Sequence, residues 1–199
     1  MHAFDQALQL EPKGGGTFRG QTHPAYANMV GPFGGVTAAQ MLQAVMLHPD
    51  RLGGPTVLTV NFCAAVADGP FDIQARALRT NRSTQHWLIT LEQAGEIVIS
   101  ATAVTAKRRD TLCAQEAVMP EVAKPRDVPA VMQKPEVEWV KQYDLRYIRG
   151  ELPTQWDGRD AGDSESLVWF SDQPPRPLDF ASVTALADVF FPRVWLRRA

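Results

Sequence analysis

Apolar and small residues run almost without a break from about Gly35 to Leu47. Val36, Ala39, Gln40 and Gln43 alternate with Ala38, Met41, Leu42 and Val45, so nearly every side of a helix here would be apolar or small. Such a helix is buried all round. "HPDRLGGP" stops it with proline and glycine. Upstream, "GGGTFRGQT" predicts a glycine-rich turn and a short strand. Downstream the period changes to two. Val57, Leu58, Val60 and Phe62 form one run, and "GPFDIQARAL" alternates Phe71, Ile73, Ala75 and Ala77 against Asp72, Gln74 and Arg76. "STQHWLITLE" and "EIVISATAVTAKRR" follow, joined by a tight turn at Gln93 to Glu96. The pattern predicts an antiparallel sheet curled around one apolar helix.

Residues 1–115 read as this first unit. Glu116 to Pro135 carries four prolines and little periodicity, and reads as a linker. Residues 136–199 open a second unit: a long strand in "WVKQYDLRYIRGEL", another in "ESLVWFSD", a stiff turn in "QPPRPLD" and a second apolar helix in "FASVTALADVFF". Two blocks recur in order. Phe18-Arg19-Gly20-Gln21 matches Ile148-Arg149-Gly150-Glu151, and Phe33-Gly34-Gly35-Val36-Thr37-Ala38 matches Phe180-Ala181-Ser182-Val183-Thr184-Ala185. Both together point to a duplicated unit. The first helix is followed by four strands and the second only by "PRVWLRRA". An apolar helix needs cover. The expectation is therefore that the natural chain continues past Ala199, or that a homo-oligomer supplies the missing sheet.

Composition changes the picture by exclusion. A chain of 199 residues with 45% hydrophobic residues can bury a real core. The formal charge of −2 and the absence of a basic run argue against nucleic acid. Cys63 and Cys113 form no CxxC pair. The N-terminus has no signal pattern and no run reaches membrane-spanning length, so a cytoplasmic protein without membrane partners is expected.

"YANMVGPFGGVTAAQML", "HPDR", "VNFCAAVADGPFDI", "RTNRSTQHW", "WVKQYDLR", "PPRPLDF" and "LADVFFPRVWLRR" resemble, in order from Thr17 to Arg198, the acyl-CoA thioesterase II family in its TesB-like branch. The resemblance implies an α+β double hot-dog, each unit wrapping an antiparallel sheet around a long helix, here with the second unit incomplete. It implies hydrolysis of fatty acyl-CoA to fatty acid and CoA by an oriented water, without metal or organic cofactor. It also implies a catalytic aspartate on the second helix, assisted by a threonine or serine and a glutamine from strands that this sequence lacks. "LADVFFP" puts that aspartate at Asp188.

The residues themselves leave Asp188 open between two roles. A carboxylate among Ala185, Leu186, Val189 and Phe190 is costly to bury unless used, and desolvation would suit it to take a proton from water. Alternatively it pairs with Arg193 or Arg197 on a helix surface. The resemblance favours catalysis. Gly34 and Gly35 stand where a serine or aspartate would cap better. Their amides could polarise a thioester carbonyl, or the glycines could simply admit a close crossing; the second reading is ahead. Arg82 and Ser83 are the other expected substrate contacts, and Arg79, Lys107, Arg108 and Arg109 are further candidates for CoA phosphates. Ser83 lacks a G-x-S-x-G elbow. His23, His48 and His86 have no acidic or cysteine neighbour at ligand spacing, and His48 is placed to cap helix carbonyls. Two other functions stay open: a non-catalytic acyl-CoA binder or scaffold, and a hot-dog enoyl-CoA hydratase, for which no histidine follows Asp188.

Overall fold

The computed structural model describes residues 1–131, 137–151, 153, 158, 160 and 162–197. Residues 132–135 of the expected linker, Leu152 of the expected long strand and Arg198 lie outside them. No described helix is long and apolar enough to cross a membrane.

The chain opens with a short helix, α1 (Ala3–Ala7), started by His2, whose Nδ1 accepts from the Phe4 amide at 3.1 Å. A hairpin follows, β1 (Glu11–Gly14) and β2 (Thr17–Gln21). After a 3₁₀ turn at Pro24–Tyr26 comes α2 (Gly34–Leu47), then β3 (Gly54–Phe62), β4 (Pro70–Thr80), β5 (Thr84–Gln93) and β6 (Glu96–Ala106). These strands form one antiparallel sheet in the order β1-β2-β4-β5-β6-β3. The β5–β6 turn places Ala94 at φ 53° and Gly95 at φ 84°. Positive φ at both central residues matches the right-handed twist of the strands it joins.

The period-two pattern is realised residue by residue. Phe71, Ile73 and Ala75 of β4, Trp87, Ile89 and Leu91 of β5, and Ile99, Ala101 and Ala103 of β6 point to one face. There they bury Met41, Ala44 and Val45 of α2. Each large aliphatic side chain so buried contributes about 1.5–3 kcal/mol. Gln40 is buried too, and its Nε2 donates to the carbonyls of Ala7 (2.7 Å) and Gln21 (3.2 Å), which ties α1 and β2 to α2.

A second core lies on the other side of α2. It joins Phe4, Ala7 and Leu8 of α1 with Tyr26, Phe33, Val36 and Ala39, and with Val140, Tyr143, Leu145, Ala181, Ala185 and Leu186. Its frame is a two-stranded antiparallel sheet, β7 (Tyr143–Arg149) and β8 (Leu167–Asp172), followed by α3 (Phe180–Leu186) and α4 (Val194–Arg197). From Ala123 the linker is already stitched to this sheet. The Trp169 indole donates to the Ala123 carbonyl at 2.9 Å and the Val131 amide to Leu145 at 2.8 Å. On its other side α3 leaves Phe180, Val183 and the following Phe190 exposed.

Several expectations change in detail. The sequence pattern missed α1 and β1, and α1 packs in the second core. The long strand is only Tyr143–Arg149, because Glu138–Gln142 winds into 3₁₀ turns. The second helix stops at Leu186, so Asp188 lies in the turn that closes it, with its amide on the Ala185 carbonyl at 3.1 Å. The helical halves of the repeat correspond, but the strand halves do not. Phe18–Gln21 lies in the second strand of its hairpin, whereas Ile148 and Arg149 end the first strand of theirs.

Arg176 knots the chain's two ends together. It meets Asp179 at 2.9 Å, Asp5 of α1 at 2.8 Å, the Ser182 hydroxyl, and the Phe4 ring at 5.0 Å from its centroid.

Candidate active site

Helices α2 and α3 meet where a side chain is missing. A Cβ on Gly35 would lie 2.5 Å from the Ala185 carbonyl oxygen and 2.5 Å from the Phe33 ring. A Cβ on Gly34 would lie 2.8 Å from Asp188 Oδ2 and 3.3 Å from the Phe62 ring. The glycines therefore do two jobs. Gly35 lets the backbones of two helices touch, and Gly34 leaves room for a carboxylate and an aromatic ring at the start of α2.

That start has no side-chain cap of its own, since Phe33 stands at the capping position. Its amides carry the positive end of the helix dipole. The Asp188 carboxylate, arriving from the turn after α3, faces them. Two opposing effects act on it. Burial pushes its pKa up from the ordinary aspartate value, and the Gly35 amide favours the charged form and pulls it down; burial wins. As a whole residue Asp188 is still accessible to solvent. One side is thus covered and the other open to water. Behind it, burial raises the pKa of Tyr143 first, with further pushes from Tyr26, Asp172 and Asp188.

The surface ion pair weighed for Asp188 is not formed. Arg193 donates to the Ser166 hydroxyl and the Phe191 carbonyl, and Arg197 pairs with Asp160 at 2.9 Å.

Beside this carboxylate opens a cavity of about 410 Å³. Val30, Pro32, Thr37, Phe62, Ala64 and Val66 line it, and Gly34 joins it to Asp188. Its lining side chains are apolar except Thr37, whose hydroxyl donates to the Phe33 carbonyl at 3.3 Å. Gly31, at φ 66°, lets the preceding turn lie against the Val66 carbonyl and close the cavity wall. The start of the loop after β3 is held by one carbonyl: the amides of Cys63 and Ala64 both donate to Val98 O, at 2.9 and 3.0 Å.

Other expected positions fall elsewhere. Arg82 and Ser83 sit at the β4–β5 tip, where the Ser83 carbonyl accepts from Lys107 at 2.9 Å. That tip adjoins Ala106 and, across it, Gly54 at the start of β3. Phe62, the neighbour of Gly34, is at the other end of β3, so Arg82 and Ser83 share no site with Asp188. Arg79 holds Asn81 at 3.0 Å and Arg108 reaches the Pro55 carbonyl at 3.4 Å. His48 closes α2 with its backbone amide, which donates to the Val45 carbonyl at 3.2 Å, rather than with its imidazole, whose Nδ1 accepts from the Asp50 amide at 3.1 Å and whose ring meets Trp87 edge-on. His23 accepts from the Ala25 amide at 3.2 Å, and burial lowers its pKa. His86 is exposed on β5. Of the two readings of Gly34 and Gly35, close approach is the one the geometry shows: Gly35 lies against the Ala185 carbonyl, and the carboxylate of Asp188 faces the Gly35 amide.

Phe62 escaped sequence reasoning because it reads as one more residue of an apolar strand. Its distinguishing mark is structural, a large ring 54% exposed at a strand end.

The acyl-CoA thioesterase N-terminal domain matches residues 23–106, and the acyl-CoA thioesterase C-terminal domain matches residues 120–199. No curated protein matches. Among solved structures, a conserved protein of unknown function with a hot-dog fold from Alicyclobacillus acidocaldarius is 48% identical with a TM-score of 0.91. The match covers 100% of this chain and 74% of that one. The acyl-CoA thioesterase II TesB2 of Mycobacterium marinum is 22% identical with a TM-score of 0.71, over 94% of this chain and 68% of that one. The tesB protein of Mycobacterium avium subs. paratuberculosis is 20% identical with a TM-score of 0.69, over 94% and 68%. The last two matches speak for the fold, an α+β hot-dog, which is the arrangement of sheet and helix described above.

Proposed function

The chain belongs to the acyl-CoA thioesterase family, and on that premise we propose that it hydrolyses fatty acyl-CoA to the free acid and CoA, with Asp188 as the general base. The observation that carries this reading is a carboxylate covered on one side, open to water on the other, and set at the mouth of an apolar cavity. The cavity suits an acyl chain and excludes the charged phosphates of CoA. With the chain seated there, the thioester carbon would stand at the cavity mouth near Asp188.

In this scheme a water beside Asp188 gives a proton to the carboxylate as its oxygen attacks the thioester carbon. The tetrahedral intermediate then collapses with cleavage of the C–S bond. The CoA thiolate leaves and takes a proton, and the acid is released. A pKa raised by burial makes the carboxylate a better proton acceptor, while the α2 dipole and the Gly35 amide favour its charged form. Its position on a turn fixed at both ends, by α3 and by contact with α2, holds it in one orientation.

Release of free thiol from a series of acyl-CoA esters by the purified chain tests the reading. Turnover above the uncatalysed rate is expected. Binding of acyl-CoA without thiol release would favour the non-catalytic binder and sink the hydrolase.

A further inference from the structure

Phe62 is a large aromatic side chain that the core does not explain. It ends β3 opposite Ile99, and more than half of it is open to solvent. An exposed ring of this size at a strand end has a bland explanation when it stands alone. Here it does not stand alone. The point where Gly34 lacks a Cβ is 3.3 Å from the Phe62 ring and 2.8 Å from Asp188 Oδ2, so ring and carboxylate both border the space left by that missing side chain. The same ring lines the 410 Å³ cavity. The paired amides of Cys63 and Ala64 on the Val98 carbonyl fix the chain directly after it.

We propose that Phe62 is a specificity-determining residue of this site: its ring forms the wall of the acyl cavity that stands beside the Asp188 carboxylate, limiting the chain the cavity takes and keeping water off one side of the carboxylate. The proposal rests on the thioesterase reading. It goes beyond that reading by giving one side chain control of two measurable properties. The length limit follows from the ring's place in the lining. The effect on Asp188 follows from apolar cover, which disfavours a charged carboxylate, and agrees with burial as the main cause of its raised pKa.

The test compares wild type with Phe62→Ala and Phe62→Leu, using kcat/KM for saturated acyl-CoA esters from acetyl to palmitoyl and the pH profile of kcat/KM. Thermal melting serves as the folding control, and a half-exposed ring should tolerate truncation. In Phe62→Ala the optimum should move to longer chains, with a gain relative to wild type of about fourfold for each further methylene the cavity buries. Its acidic limb, which reports the free enzyme's base, should move to lower pH as the carboxylate is rehydrated. Phe62→Leu should fall between the two in both properties. An active Phe62→Ala protein with the wild-type chain-length profile and an unmoved acidic limb would overturn the proposal. A shift in only one property would overturn the claim that one ring governs both. Should wild type release no thiol, the hydrolase reading fails by itself. Calorimetric binding of non-hydrolysable acyl-CoA thioethers and NMR titration of the Asp188 carboxyl then read the same two shifts, and their absence overturns the wall.

Discussion

Helix α2 begins on Phe33, which offers no side-chain acceptor, and a carboxylate from the far end of α3 faces its first amides. Helix α3 begins on Asp179, whose Oδ1 accepts from the Ser182 amide at 2.8 Å and from the Ser182 hydroxyl at 3.1 Å. Arg176 closes over the other oxygen at 2.9 Å. The aligned blocks place Gly34-Gly35 where α3 has Ala181-Ser182, and core Met41 where the second block has Asp188. One duplicated helix start is thus sealed by its own residues, and the other is left to a visitor. The two carboxylates differ accordingly. Burial opposes the charge on both. On Asp179 the Arg176 and Ser182 contacts outweigh burial and hold the pKa below the ordinary value, whereas on Asp188 burial prevails. A carboxylate with all its contacts satisfied is structural; one held in place with a lone backbone partner keeps lone pairs for a proton.

The largest effect that separates the two is on rate. Asp188→Asn should keep the fold by circular dichroism and lower kcat by about a hundred- to ten-thousand-fold. Asp179→Ala should leave the rate within a few-fold of wild type. Equal losses in both would erase the distinction. Next, Gly35→Ala places a methyl against the Ala185 carbonyl. A loss of about 1–3 kcal/mol is expected in urea unfolding, the usual cost of overpacking, and an unchanged midpoint would mean the helices do not cross at this point. Asp179→Ala should lose about 0.5–2 kcal/mol as a removed N-cap. The smallest effect sharpens the comparison by sign. Asp188, with its pKa raised on folding, gives a stability term present at low pH and lost as pH rises through the folded value. Asp179, with its pKa lowered, gives one present above the ordinary value of 3.8 and lost as pH falls through the folded value. Melting curves of Asp188→Asn and Asp179→Asn between about pH 3 and 7 should therefore diverge from wild type in opposite directions as pH rises. Parallel curves would mean the two carboxylates share one environment.

Much of this contrast was half visible in the sequence. The alternation of Phe71, Ile73 and Ala75 announced β4, and the all-round apolar stretch announced α2, because burial on one face or on every side is written directly in residue order. The helix α1 was not visible. Five residues carry no periodic signal, and Phe4 and Ala7 are held by contacts with residues far along the chain. The oddity of Gly34 and Gly35 was legible, but not its cause, since no local pattern says which distant group will approach a glycine. Asp179 three residues before Ser182 is a capping signal that residue order alone carries. Arg82 and Ser83 suit substrate contacts by residue type, and only the sheet shows that they lie at the opposite end of β3 from Phe62.

The knot around Arg176 has a consequence for synthesis. Asp5 and Arg176 are separated by 171 positions, and Phe4, Ala7 and Leu8 are buried among residues from both ends of the chain. At about 5–20 residues per second, the first helix waits about 10–30 s for its partners to be made. The sheet from β2 to β6 needs none of them and can close around α2 first. Helix α1 is therefore among the last of these elements to take its place, and until then Phe4 travels uncovered.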